Sequence, residues 1–347
     1  MKQYAGIDVS LESSSVCVVD AEGRILREGK VLSDPEALIA WLREHADPAE
    51  RIGLEAGPLS QWLYAWMTAA GLPVELLETR HVRAAFKTMP VKTDKKDARG
   101  IAQLMRLGWF RPVHCKSLAA QEVRAVLTAR KLLLSKLHDV EMSIRGILRG
   151  FGLKVGATTP RTYPARVRAL VEGHPTLESL AEALLRARAV FGDELRGLER
   201  QMRAIGRQDE RARRLMTTPG VGVVVALTFV SGIDKADRFR SSRMVGAHFG
   251  LTPKKYQSGE MDRSGRISKC GDAAVRAALY EAANVILTHP VRGSDLKTWA
   301  LGVAQRAGPR KAKVALARKL AVVLHRMLRD DADFIAHPTA PPAMTAA

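Results

Sequence analysis

Four carboxylates stand in contexts that suit a divalent cation. Asp8 lies between Ile7 and Val9 in the first strand-forming run, so its side chain leaves the sheet on the face opposite its apolar neighbours. Glu55 closes a later short strand directly before Ala56-Gly57-Pro58, and α/β sheets commonly present functional side chains where a strand end meets a loop. In Thr93-Asp94-Lys95-Lys96-Asp97-Ala98-Arg99 two aspartates lie three apart at a predicted helix start, which puts both on one face. Carboxylate oxygens are the hard ligands that Mg²⁺ prefers. One such ion, or two roughly 3.5–4 Å apart, would neutralise a phosphate, activate its attacker and stabilise the leaving oxygen. Taken singly, each residue has a plainer explanation: Asp8 as an edge-strand solubility charge, Glu55 as a surface residue, Asp94 as a helix cap with Asp97 in its first turn. Together, in a chain that meets phosphates, they point to a metal site.

A second group lies far downstream. Phe249–Gly259 and Ser264–Asp272 are rich in glycine, small residues and cations. Lys254, Lys255, Arg263, Arg266, Lys269 and Arg276 suit the walls of a phosphate channel, with Tyr256 offering a ring or hydroxyl. A solvated basic surface accounts for some of these cations, but less easily for such density beside so many glycines. Five serines, Ser241, Ser242, Ser258, Ser264 and Ser268, share the region, and composition does not select among them. Earlier, Pro219-Gly220-Val221-Gly222 reads as a turn between helices. Its Gly220 and Gly222 either direct backbone N–H groups at phosphates or simply let two helices pack.

The charge balance identifies the kind of partner. The chain carries 55 Lys and Arg against 36 Asp and Glu, a net charge of +19, and the usual counterpart of such an excess is nucleic acid. A membrane surface is the competing polyanion. However, Met1-Lys2-Gln3-Tyr4 begins no apolar signal core, and the longest apolar stretch, around Val221–Val230, is too short to span a bilayer, so no membrane association is expected. Cys17, Cys115 and Cys270 are widely separated and lack metal-ligand spacing, which fits a reducing cytosol and gives no sign of zinc.

These residues need elements to position them. Tyr4–Val9, Ser15–Val19 and Ile25–Val31 read as strands of an antiparallel meander, with Ala21-Glu22-Gly23-Arg24 turning between the last two. Ser33 with Glu36 reads as a capping box opening a helix to about His45; a strand over Arg51–Glu55, a helix over Gln61–Ala70 and a strand over Val74–Leu77 follow. The order βββαβαβα results, a mixed α/β sheet for residues 1–117. Apolar residues Val123, Val126, Leu133, Leu137, Val140, Ile144 and Ile147 recur at helical spacing over Ala119–Leu148, and a second long helix is expected over Leu177–Leu215, with Lys154–Pro164 as a loop between them. The pair predicts a helical, coiled-coil-like arm over 118–214, either a spacer or a dimerisation element. Residues 215–334 read as a mainly helical domain, and 335–347 as a disordered Ala/Pro-rich tail.

Gly6-Ile7-Asp8-Val9-Ser10, Leu54-Glu55-Ala56 and Thr93–Arg99 resemble the DEDD signature of the insertion-sequence transposases whose N-terminal domain has the RuvC-like, RNase H type fold. The C-terminal region is similar to the same family's serine-bearing domain, with Gly-Leu-x-Pro, Ser-Gly, Gly-x-Ile and Lys-x-Gly elements in matching order. The resemblance runs from Tyr4 to about Leu328, the arm matching only in character. It implies that Asp8, Glu55, Asp94 and Asp97 bind Mg²⁺ and that Ser258, the serine of the Ser-Gly element, is the nucleophile. It also implies donor and target DNA as substrates, a non-coding bridge RNA as guide, a homo-oligomer growing from dimer to tetramer, and action at the bacterial nucleoid. A serine hydroxyl is a poor nucleophile unaided, and no histidine lies close in sequence to complete a triad; His248, the nearest, reads as structural. The activating group is therefore expected from the carboxylate domain, of the same or another subunit. Two rival readings remain: a metal-only, structure-selective nuclease that uses water, and a non-catalytic nucleic-acid-binding protein.

Overall fold

Ile7-Asp8-Val9 and Val16-Cys17-Val18-Val19 place β-branched residues at strand spacing, and in the computed structural model the chain forms the expected meander: β1 (Gln3–Val9), β2 (Ser13–Val19) and β3 (Ile25–Leu32), antiparallel throughout. The structure describes residues 2–46, 48–87 and 93–337, and the chain divides after Lys116 into two units. In the first, α1 (Pro35–His45), β4 (Ala49–Glu55), α2 (Ser60–Ala69) and β5 (Val74–Leu77) follow the meander, then α3 (Thr79–Phe86) and α4 (Asp94–Leu107). The sheet order is β3-β2-β1-β4-β5, with β4 parallel to β1 and β5 parallel to β4. The unit is thus a five-stranded mixed α/β sheet in the order expected, with α3 an additional helix before the one expected to start at Thr93. Ser33 does not cap α1 as expected. Its hydroxyl bonds to Ser14 Oγ at 2.8 Å and to the Ser10 carbonyl at 2.7 Å, so Asp34 takes the cap, accepting from the Glu36 and Ala37 amides.

The alternation of each strand sorts its side chains onto two buried faces. Ala5, Ile7, Ile52 and Leu54 pack beneath Leu38 and Leu42 of α1 and Leu63 and Met67 of α2. Tyr4, Cys17, Val19 and Leu77 face the other way, onto Ala98, Ile101, Ala102 and Met105 of α4. Gly6 makes this second contact possible, because a Cβ there would overlap the α4 backbone at Ala98 and Ala102.

The second unit begins with α5 (Leu118–Gly150), followed by α6 (Tyr163–Val171) and α7 (Pro175–Gln208). Arg130 of α5 pairs with Glu199 of α7 at 2.9 Å, and farther along α5 Glu141 pairs with the earlier Arg188 at 2.7 Å, so the two long helices run antiparallel. The expected loop runs from Lys154 to Thr162, and α6 follows it, held because Tyr163 is buried and donates to the Glu141 carbonyl at 3.0 Å. The expected single helix to Leu215 breaks at Asp209, whose carboxylate caps the separate α8 (Glu210–Met216) by accepting from the Arg211 and Ala212 amides. Then come α9 (Val223–Ile233), a 3₁₀ turn, α10 (Arg243–His248), α11 (Ala273–Thr288), α12 (Asp295–Ala307) and α13 (Pro309–Arg329), which share one apolar core. Between α10 and α11 stands an element the helical reading omits: the antiparallel ribbon β6 (Pro253–Ser258) and β7 (Met261–Ile267).

Of the expected tail, Ala336 accepts from the Asp295 amide at 3.0 Å and His337 Nδ1 lies 2.7 Å from Asp295 Oδ1, so the chain remains attached to its unit through His337. Residues 338–347 of that expectation lie outside the described residues. Among the described residues no helix is long and apolar enough to cross a membrane.

Candidate metal centre and nucleic-acid interface

β1 and β4 are parallel neighbours in register at Gly6↔Gly53 and Ile7↔Leu54. Asp8 and Glu55 each lie one residue beyond the last pair, on the face shared with Gly6 and Gly53, which is the face α4 covers. The direction of α4 then fixes where its aspartates go. Near its C-terminal end, Gln103 donates to the Gly23 carbonyl in the β2–β3 turn at 2.8 Å, and the Met105 carbonyl accepts from Arg51 at the start of β4 at 3.2 Å. Both anchors lie at the end of the sheet where β1 and β4 begin. The helix therefore runs against β1 and β4 and brings its N-terminus over their carboxyl ends, toward Asp8 and Glu55. Asp97 immediately precedes Ala98, which packs at Gly6, and is only 8% exposed; Asp94 lies one turn earlier and is exposed.

Two of the plainer explanations, for Asp8 and for Asp94, do not fit this arrangement. β1 is the central strand, so Asp8 is not an edge charge. Asp94 is not the cap: Thr93 is, accepting from the Lys96 amide at 3.2 Å, which leaves both aspartates in the first turn, where the helix dipole favours negative charge. Hard carboxylate oxygens toward one sheet end suit a divalent ion in kind. They are not drawn into a closed shell, since among the described residues no three His, Cys, Asp or Glu side chains group tightly enough to hold an ion.

One residue that fixes α4 has no signal in the sequence. Glu28 of β3 stands opposite Cys17, on the α4 face, and binds two of the three cations of the Thr93–Arg99 segment: Lys95 at 3.0 Å, and Arg99 through both carboxylate oxygens, the Nη2 contact at 2.8 Å. The Arg99 guanidinium, with Lys95, holds the Glu28 carboxyl down at about 2, and burial pushes the neighbouring Cys17 thiol up to about 11. Glu28 thus ties the first turns of α4, and the aspartates within them, to the sheet.

The second unit sorts the serines. Ser242 is buried and hydrogen-bonded to His325 Nδ1 at 2.9 Å, while Nε2 of the same ring meets the Ala236 carbonyl at 3.1 Å. The Ser241 hydroxyl accepts from the Arg243 amide and that of Ser268 from the Cys270 amide. Ser258 and Ser264 stand on the exposed ribbon. Ser258 ends β6 opposite Met261, and Tyr256 lies opposite Arg263, so strand alternation puts Tyr256, Ser258 and Arg263 on one face with Lys254. Lys255 points to the other face, 3.6 Å from Asp262. His248 lies between the rings of Phe239 and Phe249 with Arg238 3.2 Å away, a structural position, as expected.

Two predicted contacts have other occupations. Arg276 donates to the carbonyls of Phe249, Cys270 and Gly271 at 3.2, 2.7 and 3.0 Å, so its guanidinium shapes the segment after the ribbon. Gly220, at φ +78°, sits against α11, where a Cβ would come within 2.8 Å of Ile286 and 2.9 Å of the Ala282 carbonyl. Its tight turn serves packing of helices. Gly222 stands at the N-cap of α9. Arg266 and Lys269 line a groove against α13 whose cations the sequence reading leaves out; spacing of Lys311 and Arg318 by two helical turns is the signal that could have found them.

Comparison with known proteins bears on both units. Residues 5–152 match a family model described as "Transposase", that of the DEDD transposases of IS110 elements, and residues 212–297 match one described as "Transposase IS116/IS110/IS902 family". The chain is 27% identical over 334 residues to the transposase for insertion sequence element IS1111A of Coxiella burnetii, covering 93% of this chain and 88% of the relative. It is 30% identical over 294 residues to a probable family 20 transposase of Pseudomonas aeruginosa, covering 80% and 83%. Among solved structures, T. thermophilus RuvC in complex with Holliday junction substrate aligns with 33% of this chain and 100% of its own at 17% identity, with a TM-score of 0.25, too low to carry an argument.

Proposed function

The chain belongs to the IS116/IS110/IS902 family of insertion-sequence transposases, enzymes that cut and rejoin DNA, and we propose that it does so through a phosphoserine link made by Ser258. Asp8, Glu55, Asp94 and Asp97 would hold Mg²⁺ in an N-terminal unit of RuvC-like, RNase H type. When bound, the metal supplies charge neutralisation at the phosphate. The observation that carries this reading is the meeting of strand ends and helix start: Asp8 and Glu55 finish adjacent parallel strands on the face that α4 covers, N-terminus foremost, with Asp97 in its first turn.

Ser258 Oγ forms a bond to a DNA phosphorus while the bond from that phosphorus to a deoxyribose oxygen breaks. The serine gives up its proton, and the departing sugar oxygen gains one. The number of phosphate ester bonds is unchanged, so a sugar hydroxyl can later reverse the step and rejoin a strand without an external energy source. Tyr256, Arg263 and Lys254, on the same ribbon face, would hold the phosphate; Lys255, Arg266 and Lys269 and the amide of Gly222 would contact the backbone nearby. Donor and target DNA would be selected by a non-coding bridge RNA, and the active assembly would be a homo-oligomer, dimer to tetramer. Support for these comes from the family resemblance and, for nucleic acid in general, from the net charge of +19.

The test is cleavage of end-labelled DNA from the element's own flanks, with RNA transcribed from them, resolved under denaturing conditions. The proposal expects a Mg²⁺-dependent protein–DNA adduct in the wild type, absent from Ser258→Ala, Asp94→Asn and chelated samples. Free cut ends that persist in Ser258→Ala but vanish in Asp94→Asn would replace it with a water-using nuclease. Salt-dependent binding with no cleavage at any stage would leave a non-catalytic binder.

A further inference from the structure

A basic recess of the second unit lies between the base of the β6–β7 ribbon and one side of α13, a groove of about 1110 Å³. Its charge is of one sign. Arg266 and Lys269 line it from the ribbon side and Arg310, Lys311, Arg318 and Lys319 from α13, and no carboxylate lines it. Its floor is apolar, with Leu251, Ile267 and Val314. On the α12 side stands Trp299, 36% exposed, with the Lys319 ammonium 4.1 Å from its ring centroid.

From this combination we propose that the groove binds an unpaired DNA strand, phosphates on the cations and a base against Trp299. Six cations without an acid favour a polyanion over an apolar peptide, which would leave them desolvated and unpaired. An aromatic ring on an apolar floor suits the face of an unstacked base, and stacked, paired bases in a duplex do not present their faces. The groove also has a direction. Its ribbon wall includes Pro253 and Ile267, the pair at the base of the ribbon, and Ser258 lies five residues up the same strand, about 17 Å away at about 3.3 Å per residue. A strand seated in the groove therefore leaves it at the base of the ribbon whose tip carries Ser258. DNA is the occupant because the groove meets the base of the same ribbon that carries the serine that, on the reading above, attacks DNA. The inference rests on that reading for its choice of DNA, but not for the existence of the site.

The test uses full-length protein, fluorescently labelled oligo(dT), and unlabelled duplex DNA and oligo(U) RNA as competitors, read by anisotropy at two salt concentrations. Trp299→Ala is expected to weaken oligo(dT) binding about ten-fold or more, Trp299→Tyr to retain most of it, and Lys311→Glu to weaken it while flattening the salt dependence. Trp66→Ala, an exposed tryptophan of α2, serves as the unchanged control. Thermal melting checks that each variant folds, and Lys311, exposed on α13, leaves a second arm should Trp299→Ala unfold. Equal loss of duplex and single-strand binding, no loss in folded Trp299→Ala and Lys311→Glu, or a loss confined to RNA would each overturn the proposal. Adduct formation at Ser258 is scored separately: oligo(dT) binding that falls in these variants while the wild type makes no adduct would keep the groove and remove the serine mechanism.

Discussion

Asp97 is almost wholly buried in the first turn of a helix seated on a five-stranded sheet, whereas Ser258 ends a strand in which every residue is exposed. The carboxylates are set by strand register, a close helix crossing and the Glu28 ion pairs, so their positions depend on the core of their unit. The serine is set by a two-stranded ribbon, and a lone hairpin is at best marginally stable without something to pack on. The contrast fits the two tasks proposed for them. Metal ligands must be held still, because the charge they fix has to meet developing charge without reorganising. On the proposed reading Ser258 has to reach a DNA phosphate, and an exposed ribbon end leaves it accessible.

The largest effect that would break this comparison comes from charge. Asp97→Asn should lower strand cleavage by at least about 10²–10³-fold, the scale for removing one preorganised group from such a site, with little change in melting temperature. Retained cleavage in a folded variant would mean that the buried aspartate is structural. Next comes shape. Gly6→Ala drives a methyl into the α4 backbone and should destabilise the protein by about 1–3 kcal/mol and impair cleavage, whereas Gly265→Ala, whose Cβ would be 3.7 Å from the nearest atom, should be tolerated in thermal melts. Equal tolerance at both positions would erase the difference between a packed and an open support.

A smaller effect belongs to the ribbon. Arg263→Ala should reduce DNA affinity several-fold and lower the slope of log affinity against log salt by about 0.7–0.9, one phosphate contact, without altering the melt. The smallest is Glu28→Gln, expected to cost about 1 kcal/mol because Lys95 and Arg99 are partly solvated. Its pH dependence has a definite sign. The carboxyl is held at about 2 in the folded protein, below its ordinary value of about 4.3, so its stabilisation is complete above that ordinary value and is lost as pH falls toward 2. The gap in melting temperature between wild type and Glu28→Gln should hold from pH 7 to about 5 and narrow below about 4; a gap that widens on acidification would show that Glu28 acts otherwise.

Much of this arrangement is legible in the chain because it is local. The alternation of Tyr4–Val9 fixes which way Asp8 points, and the i, i+3 spacing of Asp94 and Asp97 fixes a shared helix face. The family resemblance adds which carboxylates and which serine to join. What the chain does not reveal depends on partners distant in sequence. Glu28 gives no local hint that its side chain meets Lys95 and Arg99, and Arg276 reads as a phosphate contact because nothing near it announces the three carbonyls it holds. The β6–β7 ribbon escapes notice for a different reason: with both faces exposed, its strands lack the apolar alternation by which strands are recognised.

The most direct test of the central claim is to map the linkage. The wild-type protein is trapped on DNA in Mg²⁺, the DNA is digested to its last nucleotide, and the modified peptide is sequenced by mass spectrometry. The account predicts a nucleotide on Ser258 and on no other residue. A nucleotide on Ser241, Ser264, Ser268 or Tyr256, or cut DNA with no modified peptide, would contradict it.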